Sequence, residues 1–121
     1  MQANDVAKKL VELCRHGKNL EAISSLYAKD IVSVEAHETP TMAKKMQGVE
    51  AVIEKNKWWF ENHIIHSASV DGPYVNGDKF AVYFKYDVTM KSDSKRIKMD
   101  EVGVYTVADG KVTHEEFLYG I

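Results

Sequence analysis

Residues 63–120 read HIIHSASVDGPYV (63–75), NGD (76–78), KFAVYFKYDVTM (79–90), KSDS (91–94), KRIKMDEVGVYTV (95–107), ADG (108–110) and KVTHEEFLYG (111–120). Runs rich in β-branched and aromatic residues alternate with explicit turn signals. Asn76-Gly77 and Asp109-Gly110 sit between alternating hydrophobic runs, and both pairs tolerate the positive φ that tight hairpin turns require. The stretch is expected to form a four-stranded antiparallel meander.

The half before it reads as helical. Asn4-Asp5 is placed to cap a helix whose apolar positions Val6, Leu10, Leu13 and Cys14 recur at three and four residues, with Gly17 as its stop. Asn19 opens a second, short helix carrying Leu20, Ile23, Leu26 and Tyr27. Ile31 to Ala36 looks like a strand, and HETPTMAKKMQ (37–47) like a polar loop around Pro40. Gly48 precedes a third helix, from Val49 to about Asn62, with Val49, Val52, Ile53, Asn56, Trp59 and Phe60 as its inward stripe. Three helices packed on one face of an antiparallel sheet make an α+β fold.

Composition bounds the rest. A chain of 121 residues is one domain in expectation, long enough to bury a core without staples. A formal net charge of −2 and scattered Lys and Arg argue against nucleic acid or an anionic membrane as partner. Cys14, the single cysteine, excludes an internal disulfide and fits a reducing cytoplasm. Lys8, Lys9 and Arg15 run through the first sixteen residues instead of preceding an apolar core, so no secretory signal is expected. No stretch approaches membrane-spanning length. The sequence carries no phosphate loop, nucleophile elbow or dinucleotide fingerprint, and no cofactor is expected. His63 and His66 would need a third ligand such as Glu35 or His37 to hold a metal, and nothing fixes that geometry.

Several segments resemble, in order, the SnoaL-like branch of the nuclear-transport-factor-two-like superfamily: LYAKDIVSVEA (26–36), GVEAVIEKNKWW (48–59), GDKFAVYF (77–84) and, above all, VGVYTVADGKVTHEEFLY (102–119). The resemblance implies a cone-shaped α+β barrel of the cystatin-like kind. In it a strongly curved sheet wraps the third helix and leaves a pocket at its wide end. Activity does not follow, because this superfamily hosts isomerases, epoxide hydrolases, cyclases, dehydratases and binding modules. The catalytic aspartate of the ketosteroid isomerases falls on Glu35, so a carboxylate is retained. Their oxyanion-hole aspartate falls near Gly103 and its tyrosine partner near Val11, so that hole is missing. The Asp–Arg–Asp set of the limonene-type epoxide hydrolases falls on Phe84, Tyr86 and Phe117, and that chemistry is lost. A cyclase needs one placed acid–base, which Glu35 or Glu101 supplies.

Strand alternation gives the pocket list. Phe80, Val82, Phe84, Tyr86 and Val88 share one face. A two-residue turn near Asp93-Ser94 would set Tyr86 opposite Glu101, with Met99, Gly103 and Tyr105 beside it. The family likeness adds Glu115, Phe117 and Tyr119, and the third helix adds Trp58 or Trp59, only one of which faces inward. Two uses remain open for the carboxylates. Glu101 is either a proton-transfer group among aromatic walls or a satisfied polar group bonded to Tyr86 or Lys55. Glu35 and Glu115 are either site groups or solvated strand residues.

On the opposite face Tyr83, Val102, Val104 and Leu118 are apolar beside charged Lys85, Asp87, Lys98 and Asp100, the pattern of a homodimer interface. The functional expectation is a small-molecule-pocket protein. One reading is an isomerase-, cyclase- or dehydratase-type enzyme in which Glu101 or Glu35 moves a proton on a small, largely apolar substrate, with Tyr86 and Tyr119 as donors. The other is a non-catalytic ligand-binding or association module.

Overall fold

A computed structural model describes residues 2–40 and 42–120. Its elements run α1 (Ala3–Arg15), α2 (Asn19–Leu26), β1 (Tyr27–Val34), β2 (Lys45–Gln47), α3 (Val49–Asn62), β3 (His63–Asn76), β4 (Lys79–Met90), β5 (Lys95–Ala108) and β6 (Lys111–Leu118). The six strands form one sheet in the order β2-β1-β6-β5-β4-β3. Strands β3 to β6 are the expected meander. At the β5–β6 turn Asp109 and Gly110 both adopt positive φ, 52° and 74°, as a tight two-residue hairpin demands.

The structure corrects four expectations. The sheet is mixed, because β1 docks parallel to β6. Residues 45–47 pair with Val32–Val34 as a short edge strand, too brief for its alternation to show in sequence. Helix α2 stops at Leu26, and Tyr27 turns extended and opens β1, so its ring leaves the helix face to which it was assigned. Helix α1 starts at Ala3, which puts Asn4-Asp5 in its first turn. There Asp5 accepts from the Gln2 backbone N–H at 3.4 Å.

The β4–β5 connection is four residues long, from Met90 to Lys95, and it sets Tyr86 against Met99 and Phe84 against Glu101. That register differs from the expected one by two residues. Because alternate residues share a face, a two-residue slip leaves every side chain on its assigned side. The core lies between the helices and the concave face of the sheet. Val6 and Leu10 of α1, Ile23 and Leu26 of α2, and Val52 of α3 close over Ile31, Phe80, Val82, Phe84, Val107 and Val112, all buried. No helix among the described residues is long and apolar enough to cross a membrane.

Candidate functional site

At the junction of β1, β6 and α3 the sequence places polar groups where the fold allows no solvent. Ser33 and Glu115 are direct neighbours across the parallel β1–β6 pair, and both are buried. Burying a carboxylate is costly unless it is paired and hydrogen-bonded, and Glu115 is both. Tyr27 Oη donates to one of its oxygens. Ser33 Oγ donates to the other at 2.6 Å. Above them Lys55 descends from α3, one turn beyond Val52 and one turn before Trp59. Its ammonium lies 2.8 Å from Ser33 Oγ, 2.9 Å from Glu35 Oε1 and 3.9 Å from Glu115 Oε2. It also sits 5.3 Å from the centre of the Phe117 ring, on the ring's face. Tyr119 Oη donates to the other oxygen of Glu35 at 3.2 Å.

A third carboxylate shares this concave face. Glu101, on β5 beside Phe84, is half-buried and receives no hydrogen bond and no ion pair among the described residues. Burial foremost, then the Glu35 charge, raises its pKa to about 7; Lys55 opposes this and Glu115 adds to it. Burial also raises Glu115, against the pull of Lys55, Ser33 and Tyr27. The phenols around the cluster are all harder to ionise than usual. Burial and then the Glu115 charge lift Tyr27 and Tyr105. Burial and then Glu35 lift Tyr119 to about 12. Tyr86 is raised by burial and then by the Glu101 charge.

Aromatic rings pack around this cluster on the concave face of the sheet. Phe80 stacks on Tyr105 at 4.8 Å, and Tyr105 meets Phe117 edge-on at 6.2 Å. Trp59 contacts Tyr86 at 5.2 Å and stacks on His63 at 4.4 Å. Trp58 is 49% exposed, so Trp59 is the tryptophan that packs against the sheet. Phe84 is buried beside Tyr86, and Met99 pairs with Tyr86 across the strands. Gly103 has a steric reason: a Cβ there would lie 2.8 Å from Tyr105 Oη, so the Tyr105 ring occupies the space a side chain would need. No polar donor can stand at position 103, and Val11 is sealed in the core, so the isomerase-type oxyanion hole has no counterpart at either position.

The solvated readings of Glu35 and Glu115 are overturned, since Glu115 is 1% exposed and Glu35 is held by Lys55 and Tyr119. Three participants were not picked from sequence as site residues: Tyr27, Ser33 and Lys55. Lys55 had a signal, a lysine exactly in phase with Val52 and Trp59 on an apolar stripe where Asn56 was chosen instead. Of the concavities, one of about 270 Å³ is bounded by Lys85, Tyr86, Asp87, Lys98, Met99 and Asp100, and one of about 390 Å³ lies near Gln2, Asp78 and Asp109. Neither is lined by Glu35, Glu101 or Glu115. Among the described residues no three His, Cys, Asp or Glu side chains converge as metal ligands.

The SnoaL-like domain family model matches residues 1–119. The chain belongs to the SnoaL-like family. A Mesorhizobium loti protein, provisionally named a SnoaL-like polyketide cyclase with carbohydrate phosphatase added in brackets, is 49% identical. The match covers 98% of this chain and 100% of that one, with a TM-score of 0.92. Two more distant structures share the fold alone. One, from Jannaschia, provisionally named a SnoaL-like polyketide cyclase, is 16% identical with a TM-score of 0.75, over 97% and 84% of the two chains. The other, a provisionally named Bacillus subtilis isomerase, is 14% identical with a TM-score of 0.80, over 99% and 90%. No curated protein matches the chain.

Proposed function

We propose that this SnoaL-like protein is a proton-transfer enzyme of the isomerase, cyclase or dehydratase type, with Glu101 as its acid–base. The observation that carries the reading is the division of labour among three carboxylates on one face. Glu35 and Glu115 are each held by two partners, whereas Glu101 has none among the described residues and has a pKa raised to about 7. A group half ionised at working pH both accepts and returns a proton efficiently. In the reaction so supported, the Glu101 carboxylate takes a proton from a carbon next to a carbonyl. The developing charge on the carbonyl oxygen is met by a hydroxyl donor, and Glu101 then returns the proton elsewhere on the substrate. Tyr86 is the freer donor, because its hydroxyl engages no carboxylate among the described residues, while the Tyr119 proton is engaged by Glu35.

The substrate class follows from charge. The cation of the cluster, Lys55, is already committed to Glu35 and Ser33, and the walls are Phe84, Tyr86, Phe117 and Trp59. A neutral, largely apolar carbonyl compound suits such a site, and a phosphorylated sugar does not. Such a ligand would enter at the wide end of the cone, displacing the rings from Trp59 to Tyr86.

The alternative reading, a non-catalytic binding or association module, draws on the close aromatic packing, with Tyr105 filling the space over Gly103 and Phe117 set edge-on against it. One experiment separates the two: deuterium wash-in from D2O at carbons adjacent to the carbonyl in a panel of small apolar ketones and diketones, followed by proton NMR. Catalysed exchange whose rate rises with pH through about 7, and that Glu101→Gln abolishes, supports the enzyme. Exchange equal to buffer across the panel, or undiminished in Glu101→Gln, overturns it.

Assembly as a homodimer through the convex face belongs to the same proposal. Tyr83, Val102 and Leu118 form one row across β4, β5 and β6, Val104 lies beside it, and Leu118 is 50% exposed. The lone thiol, Cys14, makes a cytoplasmic setting the natural one.

A further inference from the structure

Among the described residues Lys55 is the one ammonium set among three carboxylates, and its geometry is more specific than a counter-ion needs. An ammonium has three donors. Two end on Glu35 Oε1 at 2.9 Å and Ser33 Oγ at 2.8 Å, and the charge lies 3.9 Å from Glu115 Oε2 and over the Phe117 ring. Ser33 passes the interaction on, accepting from Lys55 and donating to Glu115. The ammonium is therefore shared between Glu35 and Glu115, and no bond of it ends on Glu101.

We infer that Lys55 is a positioning residue that commits its charge to Glu35, Ser33 and Glu115 and thereby leaves Glu101 as the uncompensated carboxylate of the cluster. The inference rests on the proposed role of Glu101, but it concerns where the proton resides and not what is done with it. The physical argument is one of like charges. Several carboxylates in one low-dielectric site cannot all ionise without compensation, and the proton settles on the least stabilised of them. Glu35 has an ion pair and a tyrosine hydroxyl, and Glu115 has two hydroxyl donors and the nearby ammonium. Glu101 has no such partner. The groups facing the cluster are Tyr27 and Ser33 from β1 with Glu35 just after it, Glu115 and Phe117 from β6 with Tyr119 just after it, and Tyr105 from β5. Tyr86 faces it from β4, Cys14 from α1 and Lys55 from α3. The phenols and the thiol stay neutral through the physiological range, so Lys55 is the cation that sets the balance.

The test is a carbon-13 NMR titration of the glutamate side-chain carboxyls in the free protein, with the Glu101 step assigned by its loss in Glu101→Gln. Lys55→Met should raise the Glu101 midpoint by about one pH unit or more, the effect of removing one charge at this range. Lys55→Arg should restore it. Glu35→Gln should move it down, because it removes a like charge and frees the ammonium. Opposite shifts are what a merely structural lysine would not produce. A Glu101 midpoint unmoved in folded Lys55→Met and in Glu35→Gln overturns the inference, and if Lys55→Met fails to fold, Glu35→Gln decides alone. The titration uses no substrate. Shifts in the expected directions beside unchanged ketone exchange in Glu101→Gln would sink the enzymatic reading and leave the role of Lys55 standing.

Discussion

Glu101→Gln should make the protein more stable, by an amount that grows between about pH 4.5 and 7 and is then constant. The Glu101 pKa stands at about 7 against an ordinary 4.5, chiefly because burial strips water from the charged form and the Glu35 charge opposes it. A carboxyl raised in this way binds its proton more tightly in the folded state. Below about pH 4.5 both states are protonated and the group contributes no pH dependence. As pH climbs from 4.5 to 7 the unfolded chain ionises while the native state still holds its proton, so each step costs the native state, and above about 7 the cost levels off. At about 1.4 kcal/mol per pH unit the displacement amounts to about 3 kcal/mol, and partial solvent access at a half-buried site trims this to about 2–3 kcal/mol. Glutamine keeps the shape and cannot ionise, so the variant loses this penalty. Urea unfolding of both proteins at pH 5, 6, 7 and 8 measures the difference directly. The expected result is an advantage for Glu101→Gln that is under about 1 kcal/mol at pH 5, has nearly its full size by pH 7 and stays at about 2–3 kcal/mol at pH 8. The rise of Glu115 is common to both proteins and cancels in the comparison. A variant weakened equally at every pH would mean that the carboxylate holds a structural bond, and the reasoning from its lack of partners would fail.

Three further outcomes are expected. Trp59→Ala should destabilise by about 3 kcal/mol, since the ring packs on Tyr86 and His63, while the exposed Trp58→Ala should stay within about 0.5 kcal/mol; thermal melts compare them. Val104→Asp should split a convex-face dimer by burying an unpaired charge. Sedimentation showing the wild-type chain already as a 13.7 kDa monomer at micromolar concentration would remove that interface. Cys14, with its pKa pushed to about 12 first by burial and then by the Glu115 charge, should react with maleimide at pH 8 only after denaturant is added; rapid native labelling would contradict its placement.

Alternation and turn chemistry made the meander readable, and they also absorbed the register error. The β4–β5 loop has four residues where two were expected, yet Glu101, Tyr105 and Phe84 still face the core because the slip was even. Glu115 could be placed inward but not understood. Its partners Tyr27 and Ser33 lie 88 and 82 residues away, and they reach it through a parallel strand pairing that leaves no local trace in sequence. Tyr27 was hidden for a different reason, since a residue at a helix-to-strand boundary belongs to either period. Lys55 was named from sequence only as a partner for Glu101, whereas it ends on Glu35 and Ser33, because the curvature that brings β1 under α3 leaves no local trace in sequence.

The place of β6 in the sheet has a consequence for how this protein comes into being. It is the last strand in chain order, yet it lies between β1 and β5, not at a margin. While the chain is being synthesised, two unsatisfied strand edges therefore face each other across a gap that only residues 111–118 can fill. Exposed edges of this kind invite pairing with other nascent chains. The residues that close the gap are also those that bring Glu115 to Ser33 and Lys55. Sealing the sheet against aggregation and completing the candidate catalytic cluster are thus one event, and a chain halted before residue 111 would be both sticky and without its buried carboxylate.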